Sequence, residues 1–548
     1  MSDNRKRRIV RIVILGGGFA GVYAARRLET LLKRRDDVEI VLINKENYFV
    51  FQPLLPEVIS GTIGLTDVVS PLRRLLKRTD VHVREVESVD LEARTVTLAP
   101  GFHPHPHVLP YDHLVLALGT VTDFRGLRGL PEHAFPFKNL ADALSLRNHV
   151  IRALEEAAIE REDEDLRRRL LTFVVAGGGF SGVEVAAELN DFVRAAAKSY
   201  AGIDPKELRV VLVHSQDRIL PEVSANLATF AQHKLAKRGV EILLNARLEA
   251  ATAQAAILKG GATIPTMTLV STVPSMPHPL IDALDLPKEG GRLRVDPFLR
   301  VAGRADVWAL GDCARVPAPG GGFSPPTAQH ATRQADTCAG NIVAALDGGD
   351  ARAMAFSGLG KMGSLGRHSA VAEVFGAKIS GFVAWFLWRT IYLLKMPGWG
   401  RRLKVAAAWA LDLLLPPELV QLRLEGSSGV IEEHFEPGEL VFREGDTGDR
   451  LYIVLKGRAE VLMSARPEAP VAQLGAGSYF GEMALLGSGR RNATVRCVEP
   501  MNVLTLSKRD FGLLAAHLPG MRASVEQVMQ QRVLGAPPSV TASAPANR

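Results

Sequence analysis

Two near-copies of one stretch decide the fold: Ile12-Val13-Ile14-Leu15-Gly16-Gly17-Gly18-Phe19-Ala20-Gly21 and Phe173-Val174-Val175-Ala176-Gly177-Gly178-Gly179-Phe180-Ser181-Gly182. Each copy follows a β-branched apolar run and opens an alanine-rich stretch with helical spacing. A glycine turn between a strand and a helix exposes backbone N–H groups at the positive end of the helix dipole. The repeat therefore predicts an α/β chain with two Rossmann-like domains that bind two dinucleotides, a flavin and a visiting nicotinamide.

Length and cysteine content exclude several other classes of protein. At 548 residues the chain is too long for one core, and we expect three to four domains. The three cysteines, Cys313, Cys338 and Cys497, form no CxxC pair, which argues against a disulfide framework, a structural zinc site and a redox dithiol. The basic N-terminus lacks the apolar core of a signal peptide, so we expect a cytoplasmic protein. We also expect that the protein needs no metal.

The pattern along the chain predicts the domain boundaries. Residues 1–120 and 288–350 form a flavin-binding Rossmann domain, and residues 121–287 form the inserted nicotinamide-binding domain. Residues 351–424 form a helical membrane-surface segment. Residues 425–532 form a β-roll, where short alternating strands are separated by glycine turns, and residues 533–548 form a disordered tail.

Two further elements accompany the first fingerprint. The run from Tyr111 to Thr120 predicts a strand that ends in a small-residue turn at Gly119. Asp312 follows a second strand, where its carboxylate could bind a ribityl hydroxyl of a flavin. The alternative for Asp312 is a helix N-cap, a common role for this residue type.

With these elements, residues from about 11 to 424 resemble the type II NADH:quinone oxidoreductases, the single-chain alternative NADH dehydrogenases. The resemblance rests on both fingerprints and on four other stretches in family order: Asn47 to Val58, Val115 to Gly119, Trp308 to Ala314 and Thr327 to Ala331.

The resemblance implies roles for particular residues. FAD would be bound by Gly16, Gly17, Gly18, Phe19, Ala20, Gly21, Asn44, Lys45, Gly119 and Asp312. The nicotinamide cofactor would be bound by Gly177, Gly179, Phe180, Ser181, Gly182 and His214, with Glu184 organising the nicotinamide–flavin stack. Quinone would enter beside Gln329 and His330, with Lys378 near the mouth of its pocket. The alternative for His330 is a helix residue that faces solvent.

Three positions depart from the family pattern. Asn44-Lys45 stands where an acid usually ends the second strand of the flavin domain, although Asn44 can still accept a hydrogen bond. His214 stands where NADH-selective members carry a glutamate, which leaves both NADH and NADPH open as substrates. Arg333 stands where the quinone motif often has a second glutamine, although Gln334 is adjacent, which leaves the identity of the acceptor open.

The segment between Glu373 and Asp412 has no acidic residue, six cations and four of the chain's five tryptophans, Trp385, Trp388, Trp399 and Trp409. Its longest uncharged run is too short to span a bilayer, which needs about 20 apolar residues. We expect amphipathic helices at the headgroup layer of the cytoplasmic face of the membrane. A buried helical hairpin or a homodimer interface is the alternative.

The stretch from Tyr479 to Val495 resembles the phosphate-binding cassette of cyclic-nucleotide-binding domains. By that resemblance cAMP or cGMP would contact Phe480, Gly481, Glu482, Met483, Ala484, Arg491 and Asn492. Arg491 can neutralise a phosphate with bidentate hydrogen bonds, and Glu482 can accept from a ribose hydroxyl. The alternative is a β-roll that keeps the shape without binding. The basic residues give no nucleic-acid surface.

Together these features predict a peripheral-membrane flavoprotein that passes a hydride from NADH to FAD and two electrons to a membrane quinone, without proton pumping. A cyclic nucleotide would be its effector. Two other functions remain open from sequence: a cyclic-nucleotide-responsive sensor with little turnover, and a flavin reductase of a soluble acceptor.

Overall fold

The computed structural model describes residues 8–511, apart from 102–104, 106, 123, 125–126, 253, 273–275, 413, 417, 423–429, 436, 465–468, 484–488 and 509–510. The predicted tail at 533–548 and the cassette residue Ala484 lie outside the described residues. The chain divides into two compact units, one of residues 1–94 and 110–422 and the other of residues 95–109 and 423–548.

The helices, in chain order, are α1 (Phe19–Leu31), α2 (Pro56–Ser60), α3 (Leu72–Leu75), α4 (Leu130–His133), α5 (Leu140–Ile159), α6 (Glu164–Leu170), α7 (Phe180–Ala196), α8 (Ala225–Lys237), α9 (Pro279–Ala283), α10 (Ala328–Asp347), α11 (Phe382–Lys395) and α12 (Trp399–Asp412). The strands are β1 (Val10–Leu15), β2 (Val38–Asn44), β3 (Tyr48–Val50), β4 (Val69–Pro71), β5 (Asp80–Val83), β6 (Val86–Asp90), β7 (Thr95–Leu98), β8 (His107–Pro110), β9 (His113–Leu116), β10 (Thr120–Val121), β11 (Ala134–Pro136), β12 (Thr172–Ala176), β13 (Arg209–Val213), β14 (Val240–Leu243), β15 (Leu248–Thr252), β16 (Ala255–Leu258), β17 (Thr263–Pro265), β18 (Thr268–Ser271), β19 (Met276–Pro277), β20 (Lys288–Glu289), β21 (Arg292–Arg294), β22 (Val307–Ala309), β23 (Ala314–Arg315), β24 (Gly360–Ser364), β25 (Ala370–Val374), β26 (Ala377–Gly381), β27 (Val430–Phe435), β28 (Leu440–Phe442), β29 (Arg450–Leu462), β30 (Ala472–Leu474), β31 (Tyr479–Phe480) and β32 (Thr494–Ser507).

The first fingerprint lies on a five-stranded sheet with the order β22-β9-β1-β2-β5, in which every pair is parallel. Strand β1 is central and buried, as its continuous apolar run predicts. Parallel strands end at one edge of a sheet, so the turn at Gly16, Asn44 after β2, Gly119 after β9 and Asp312 after β22 all lie along that edge. The candidate flavin-binding elements, which come from separate parts of the sequence, therefore lie along one edge of this sheet.

The second fingerprint lies on an equivalent sheet with the order β11-β18-β12-β13-β14, again parallel throughout. Here β12 takes the central position of β1, and β13 takes that of β2. His214 follows β13 as Asn44 ends β2. The α/β repeat read from the sequence is thus present in the fold.

The segment that the sequence assigned to helices begins with a sheet instead. Strands β24, β25 and β26 form an antiparallel meander over residues 360–381, and only then do α11 and α12 follow. The prediction of a wholly helical segment at 351–424 is therefore wrong for its first part. The glycine-rich run Gly360–Ser364 carries no clear alternation that would have marked a strand.

The second unit contains an antiparallel sheet with the order β27-β32-β29-β30, in which β28 also pairs with β32 and β31 with β29. Its core packs aromatic and aliphatic side chains, among them Phe442, Tyr452, Phe480 and Met501. The two long strands β29 and β32 pair along most of their length. This is the predicted β-roll texture.

Candidate functional site

The flavin fingerprint is tied to the end of the neighbouring strand. The Gly17 N–H donates to Asn44 Oδ1 at 2.7 Å, and Asn44 Nδ2 donates to the Glu46 carbonyl at 2.8 Å. The φ of Gly16 is +109°, a conformation that favours glycine. Asn44 therefore supplies the hydrogen-bond acceptor at this strand end without a negative charge, and Lys45 beside it is exposed.

The second fingerprint repeats this arrangement with a different side chain. The Gly178 N–H donates to His214 Nδ1 at 3.0 Å, and Gly177 has a φ of +119°. Burial lowers the pKa of His214, against the opposing effect of Glu222. The ring is therefore held neutral at Nδ1 as an acceptor.

Glu222 is a candidate site residue that the sequence did not reveal. Its Oε1 lies 3.0 Å from the position that a Cβ on Gly179 would occupy, beside the N-terminus of α7. The carboxylate thus places negative charge beside the second fingerprint, close to the neutral His214 ring. The loop between β13 and α8 brings it there, and no spacing in the sequence marks this position.

Asp312 lies half-buried in the turn after β22. Burial raises its pKa, while the nearby Lys138 and Arg292 lower it. Burial has the opposite effect on the lysine: it lowers the pKa of Lys138 to about 8, and the Asp312 charge opposes that shift. The N-cap of this turn is Leu310, so the alternative role of Asp312 as a helix cap is wrong.

The edge of the first sheet has the features that a flavin dinucleotide requires. A Cβ at Gly18 or Gly119 would meet no atom within 4 Å, so open space adjoins both residues. Ala20 packs behind the turn, close to Gly311. Backbone N–H groups at the start of α1, the open space and the Asp312 carboxylate suit a pyrophosphate and a polyol chain respectively.

A cavity of about 920 Å³ joins the two fingerprints. Phe19 from α1 lies on one part of its wall, and Phe180, Ser181 and Glu184 from α7 lie on another. Gln329 at the start of α10 contributes a third part. A single space therefore adjoins the first turns of both dinucleotide-binding helices.

Glu184 is an ionisable group of this cavity whose pKa is strongly altered. Burial raises its pKa to about 8, although the Ser364 N–H donates to Glu184 Oε1 at 3.0 Å and lowers it. Nearby Glu57 raises it further. At neutral pH the group is mainly a carboxylic acid, which can donate a hydrogen bond or a proton.

The quinone residues predicted from the family divide in two. Gln329 lines the cavity, where its Nε2 donates to the Gly360 carbonyl at 3.0 Å and its Oε1 accepts from the Leu359 N–H at 3.1 Å. His330 is buried, shares a hydrogen bond of 2.7 Å with Thr327 Oγ1 and packs edge-on against Phe356. His330 is thus neither on the cavity wall nor facing solvent, and both predictions for it are corrected.

Lys378 is also not at the cavity. It lies exposed on β26, opposite Glu373 on β25, because the unpredicted sheet carries it away from the wall. The cations that do line the cavity come from other elements: Arg26, Lys138, Arg333, Lys361, Lys395 and Arg402.

A buried charge cluster behind Glu184 escaped the sequence analysis. Glu57 accepts from Trp409 Nε1 at 2.5 Å and lies 3.4 Å from the Arg389 guanidinium. Glu188, one turn beyond Glu184 on α7, has its pKa raised by burial to about 8. These groups join α2, α7, α11 and α12. Because Glu57 and Arg389 lie hundreds of residues apart, no local signal could have paired them.

Helices α11 and α12 divide their apolar residues between the protein core and the surface. Trp385, Trp388 and Trp409 are buried, so the prediction that they lie at a headgroup layer is wrong. Trp399 is 78% exposed, and other exposed apolar residues are Phe382, Val383, Phe386, Leu394 and Leu403. Within the described ranges, no helix has both the length and the apolar character needed to cross a bilayer.

The second unit holds a buried arginine at the predicted cassette. Arg491 donates to the carbonyls of Gly481 at 2.8 Å and Arg450 at 3.0 Å. Its guanidinium carbon lies 4.1 Å from the centre of the Phe442 ring and 5.5 Å from that of Tyr452. Burial lowers the pKa of Arg491. Among the described residues, its Nε has no hydrogen-bond partner.

The other described cassette residues surround this arginine. Phe480 stacks on Tyr452 with ring centres 5.0 Å apart, and Glu482 is buried. Gly481 has a φ of +86°. The exposed Asn492 places Nδ2 3.8 Å from Met483 Sδ. The arrangement gives a cation, a buried carboxylate and aromatic surface within one unit, the combination that a nucleotide phosphate and ribose require.

Two families match this chain. Residues 10–335 match the pyridine nucleotide-disulphide oxidoreductases. Residues 432–517 match the cyclic nucleotide-binding domain.

Similar curated proteins cover most of the chain. The type II NADH:quinone oxidoreductase NdhA of Mycobacterium tuberculosis is 33% identical over 423 residues, 74% of this chain and 87% of the relative. The demethylphylloquinone reductase NdbB of Synechocystis is 32% identical over 73% of this chain and 95% of its own length. The internal alternative NAD(P)H-ubiquinone oxidoreductase A1 of Arabidopsis thaliana is 28% identical over 73% and 83%.

Among solved structures, NDH2 from Plasmodium falciparum in complex with NADH shares the fold with a TM-score of 0.70. The match is 19% identical and covers 75% of this chain and 100% of that one.

Proposed function

This chain belongs to the type II NADH:quinone oxidoreductases, enzymes that reduce a quinone with NADH, and we propose how its residues divide that reaction. The observation that carries the proposal is the single cavity shared by Phe19 of the flavin fingerprint and Phe180 of the nicotinamide fingerprint. Groups bound at the two turns can reach one another across it. The quinone then uses the part of the cavity between α1, α10 and α11.

FAD is the cofactor that we assign to the first fingerprint. The Gly17–Asn44 contact, the open space at Gly119 and the Asp312 carboxylate support this assignment. Bound FAD supplies the redox chemistry, because a flavin accepts a hydride from a nicotinamide and passes two electrons to a quinone. The residues around the flavin bind the cofactor, orient the substrates and exclude water.

Glu184 is the proton source that we assign to the quinone reaction. NADH oxidation by a quinone consumes one proton, and a carboxylic acid with a pKa of about 8 holds one at neutral pH. Because Glu184 Oε1 accepts the Ser364 N–H, we place that proton on Oε2. Gln329 has a positioning role, since both ends of its amide hold the chain at Leu359 and Gly360.

A matched pair of variants separates the two dinucleotide sites. Asn44→Ala removes the acceptor for Gly17 and should lower the flavin content of the purified protein. His214→Ala removes the acceptor for Gly178 and should raise the KM for NADH while the flavin content stays unchanged. If Asn44→Ala altered only the KM and His214→Ala only the flavin content, the assignment of the two sites would be reversed.

We assign α11 and α12 to a membrane surface. The sequence predicts that this surface is the cytoplasmic face of the membrane. Phe382, Phe386 and Leu394 are all exposed on α11, and Phe382 and Phe386 lie one helical turn apart, so the helix presents apolar surface outward. Phe386→Glu with Leu394→Glu should abolish flotation of the protein with liposomes and leave turnover with a soluble quinone intact. Flotation that persists in this variant would contradict the assignment.

A cyclic nucleotide is the ligand that we assign to the β-roll, with Arg491 as the phosphate partner. The buried, under-bonded guanidinium supports this. Arg491→Ala should abolish binding of a fluorescent cAMP analogue, whereas Arg490→Ala on the adjacent exposed arginine should not. Equal binding by both variants would favour a β-roll that keeps the shape without the ligand. A cGMP competition in the same assay identifies the preferred base.

A further inference from the structure

Three helices present one stripe each to the outer part of the cavity. The stripe on α1 consists of Phe19, Tyr23 and Arg26, and that on α10 includes Gln329 and Arg333. Helix α11 adds Tyr392 and Lys395, and Arg402 from α12 completes the wall. Seven residues of helix advance by roughly 10 Å, so Arg26 lies about that far along α1 from Phe19. The far end of the cavity is therefore cationic.

Four cations converge at this end. The Arg26 guanidinium lies 5.6 Å from the centre of the Tyr23 ring, and Arg26 and Arg402 both act on the Tyr23 hydroxyl. Arg333 acts on Lys395, whose pKa is lowered first by burial and then by that arginine. We call Arg26, Arg333, Lys395 and Arg402 the mouth cations.

The protein neutralises these charges only in part, through Asp336, which also lines the cavity. In the described part of the chain, no carboxylate lies within 4.0 Å of Arg26, Lys395 or Arg402, and Arg333 reaches only Asp336, at 3.9 Å. Two other arginines on α11 and α12 do have acidic partners. Arg389 pairs with Glu57 and Arg401 pairs with Asp67, each at 3.4 Å. Arg402 is nevertheless fixed, since its Nε donates to the Met396 carbonyl at 2.8 Å.

Among the described residues, four cations with a single nearby carboxylate, Asp336, carry an excess of positive charge that suits a multivalent oxyanion. A phosphate offers several acceptor oxygens at one centre, and guanidinium groups bind it with paired hydrogen bonds. Leu394 and Leu403 lie next to Lys395 and Arg402 in sequence, Trp399 lies between the two cations, and all three apolar residues are mainly exposed. The site therefore combines an anion pocket with adjoining apolar surface, which suits an amphipathic anion.

We propose that the mouth cations bind the phosphate of an anionic phospholipid headgroup at the entrance of the cavity. A headgroup held there would fix the entrance in the plane from which an apolar quinone leaves the bilayer. The inference rests on the proposed membrane surface. It adds that binding to the membrane depends on anionic lipid, which attachment through apolar side chains alone would not require. Free inorganic phosphate is the other source of the same chemistry.

The test uses the full-length holoprotein and its binding to vesicles of phosphatidylcholine with and without phosphatidylglycerol. The variant is Arg26→Gln with Arg333→Gln, both at exposed positions. The matched control, Arg27→Gln with Arg352→Gln, removes the same charge from exposed arginines outside the cavity wall. Each basic residue near an anionic surface contributes about fivefold to binding, so two should contribute roughly 30-fold.

We expect the Arg26/Arg333 variant to lose roughly 30-fold in affinity for the phosphatidylglycerol vesicles, and the control about twofold or less. Equal losses in both variants would overturn the proposal in favour of diffuse surface charge. Wild-type binding that ignores phosphatidylglycerol would also overturn it. If inorganic phosphate bound the wild type but not the variant, without any dependence on lipid charge, the lipid assignment would fail.

Turnover of NADH with a soluble quinone is measured on the same samples. Wild-type vesicle binding without phosphatidylglycerol dependence, in a sample that turns over normally, refutes the headgroup site alone. Absence of turnover in a flavin-loaded sample refutes the proposed division of the reaction instead. The two failures are thus distinguishable.

Discussion

Replacing Glu184 with Gln should remove the pH dependence of quinone reduction. Burial holds the pKa of Glu184 at about 8, against the Ser364 N–H that favours the charged form. A group with this pKa is protonated in roughly nine molecules of ten at pH 7. In the wild type, the rate of the quinone step should therefore fall about tenfold per pH unit above pH 8, as the donated proton is lost.

The size of the effect follows from the role. General acid catalysis contributes roughly 10²- to 10⁴-fold, which corresponds to about 3–5 kcal/mol in the barrier. Glutamine keeps the shape and the acceptor for Ser364 but carries no transferable proton. The variant should be slower by that factor near neutral pH, and its rate should no longer change above pH 8.

The assay follows the two half-reactions separately by stopped flow, from about pH 6 to about pH 10. Glu188→Gln is the matched control, because Glu188 lies one turn along α7 with its pKa also raised to about 8 but does not line the cavity. A Glu184→Gln variant that keeps the wild-type pH profile would refute the proton role. A defect confined to the NADH half-reaction would instead support the predicted role in the nicotinamide–flavin stack.

Three further outcomes follow from buried or charged contacts. Arg389→Met leaves the Glu57 carboxyl buried without its cation and should cost about 3–5 kcal/mol of stability in chemical denaturation; adding Glu57→Gln should recover part of that loss, and no recovery would show that the ion pair is not the cause. Glu222→Gln removes negative charge beside the nicotinamide fingerprint, so it should raise the ratio of kcat/KM for NADPH to that for NADH; an unchanged ratio would exclude Glu222 from cofactor discrimination. Arg491→Lys should bind cAMP more weakly than wild type but more tightly than Arg491→Ala, because a lysine keeps the charge without the paired donors; equal affinities of wild type and Arg491→Lys would show that charge alone binds the phosphate.

The sequence carries the repeated fold because both fingerprints are local. Strand, turn and helix are contiguous in each copy, and the strand ends at Asn44 and His214 lie within one βαβ unit of their glycines. The order of the strands places both residues beside their turns, and the structure adds that each side chain accepts a hydrogen bond from a glycine N–H of its turn.

The quinone side was predicted less well, for two physical reasons. Adjacent helical residues are rotated by about 100°, so when Gln329 faces the cavity, His330 turns into the core. Lys378 was misplaced because short glycine-containing strands carry no alternation that would reveal the β24–β26 sheet. Amphipathic composition predicted surface helices, but which tryptophans are buried depends on contacts with distant elements.

The Glu57–Arg389 pair illustrates what lies beyond sequence patterns. The two residues are separated by 332 positions, and each alone resembles an ordinary surface charge. Their contact joins the family motif around Glu57 to α11, which also lines the cavity through Tyr392. Only the fold brings them together.

Transfer of electrons from NADH to a quinone is tested by the product balance of the holoprotein under anaerobic conditions. NADH and a short-chain quinone are supplied, and NAD⁺ and quinol are quantified together with the proton taken up from a weakly buffered solution. We expect one quinol formed and one proton consumed for each NADH oxidised. NADH oxidation without matching quinol would show that a quinone is not the acceptor.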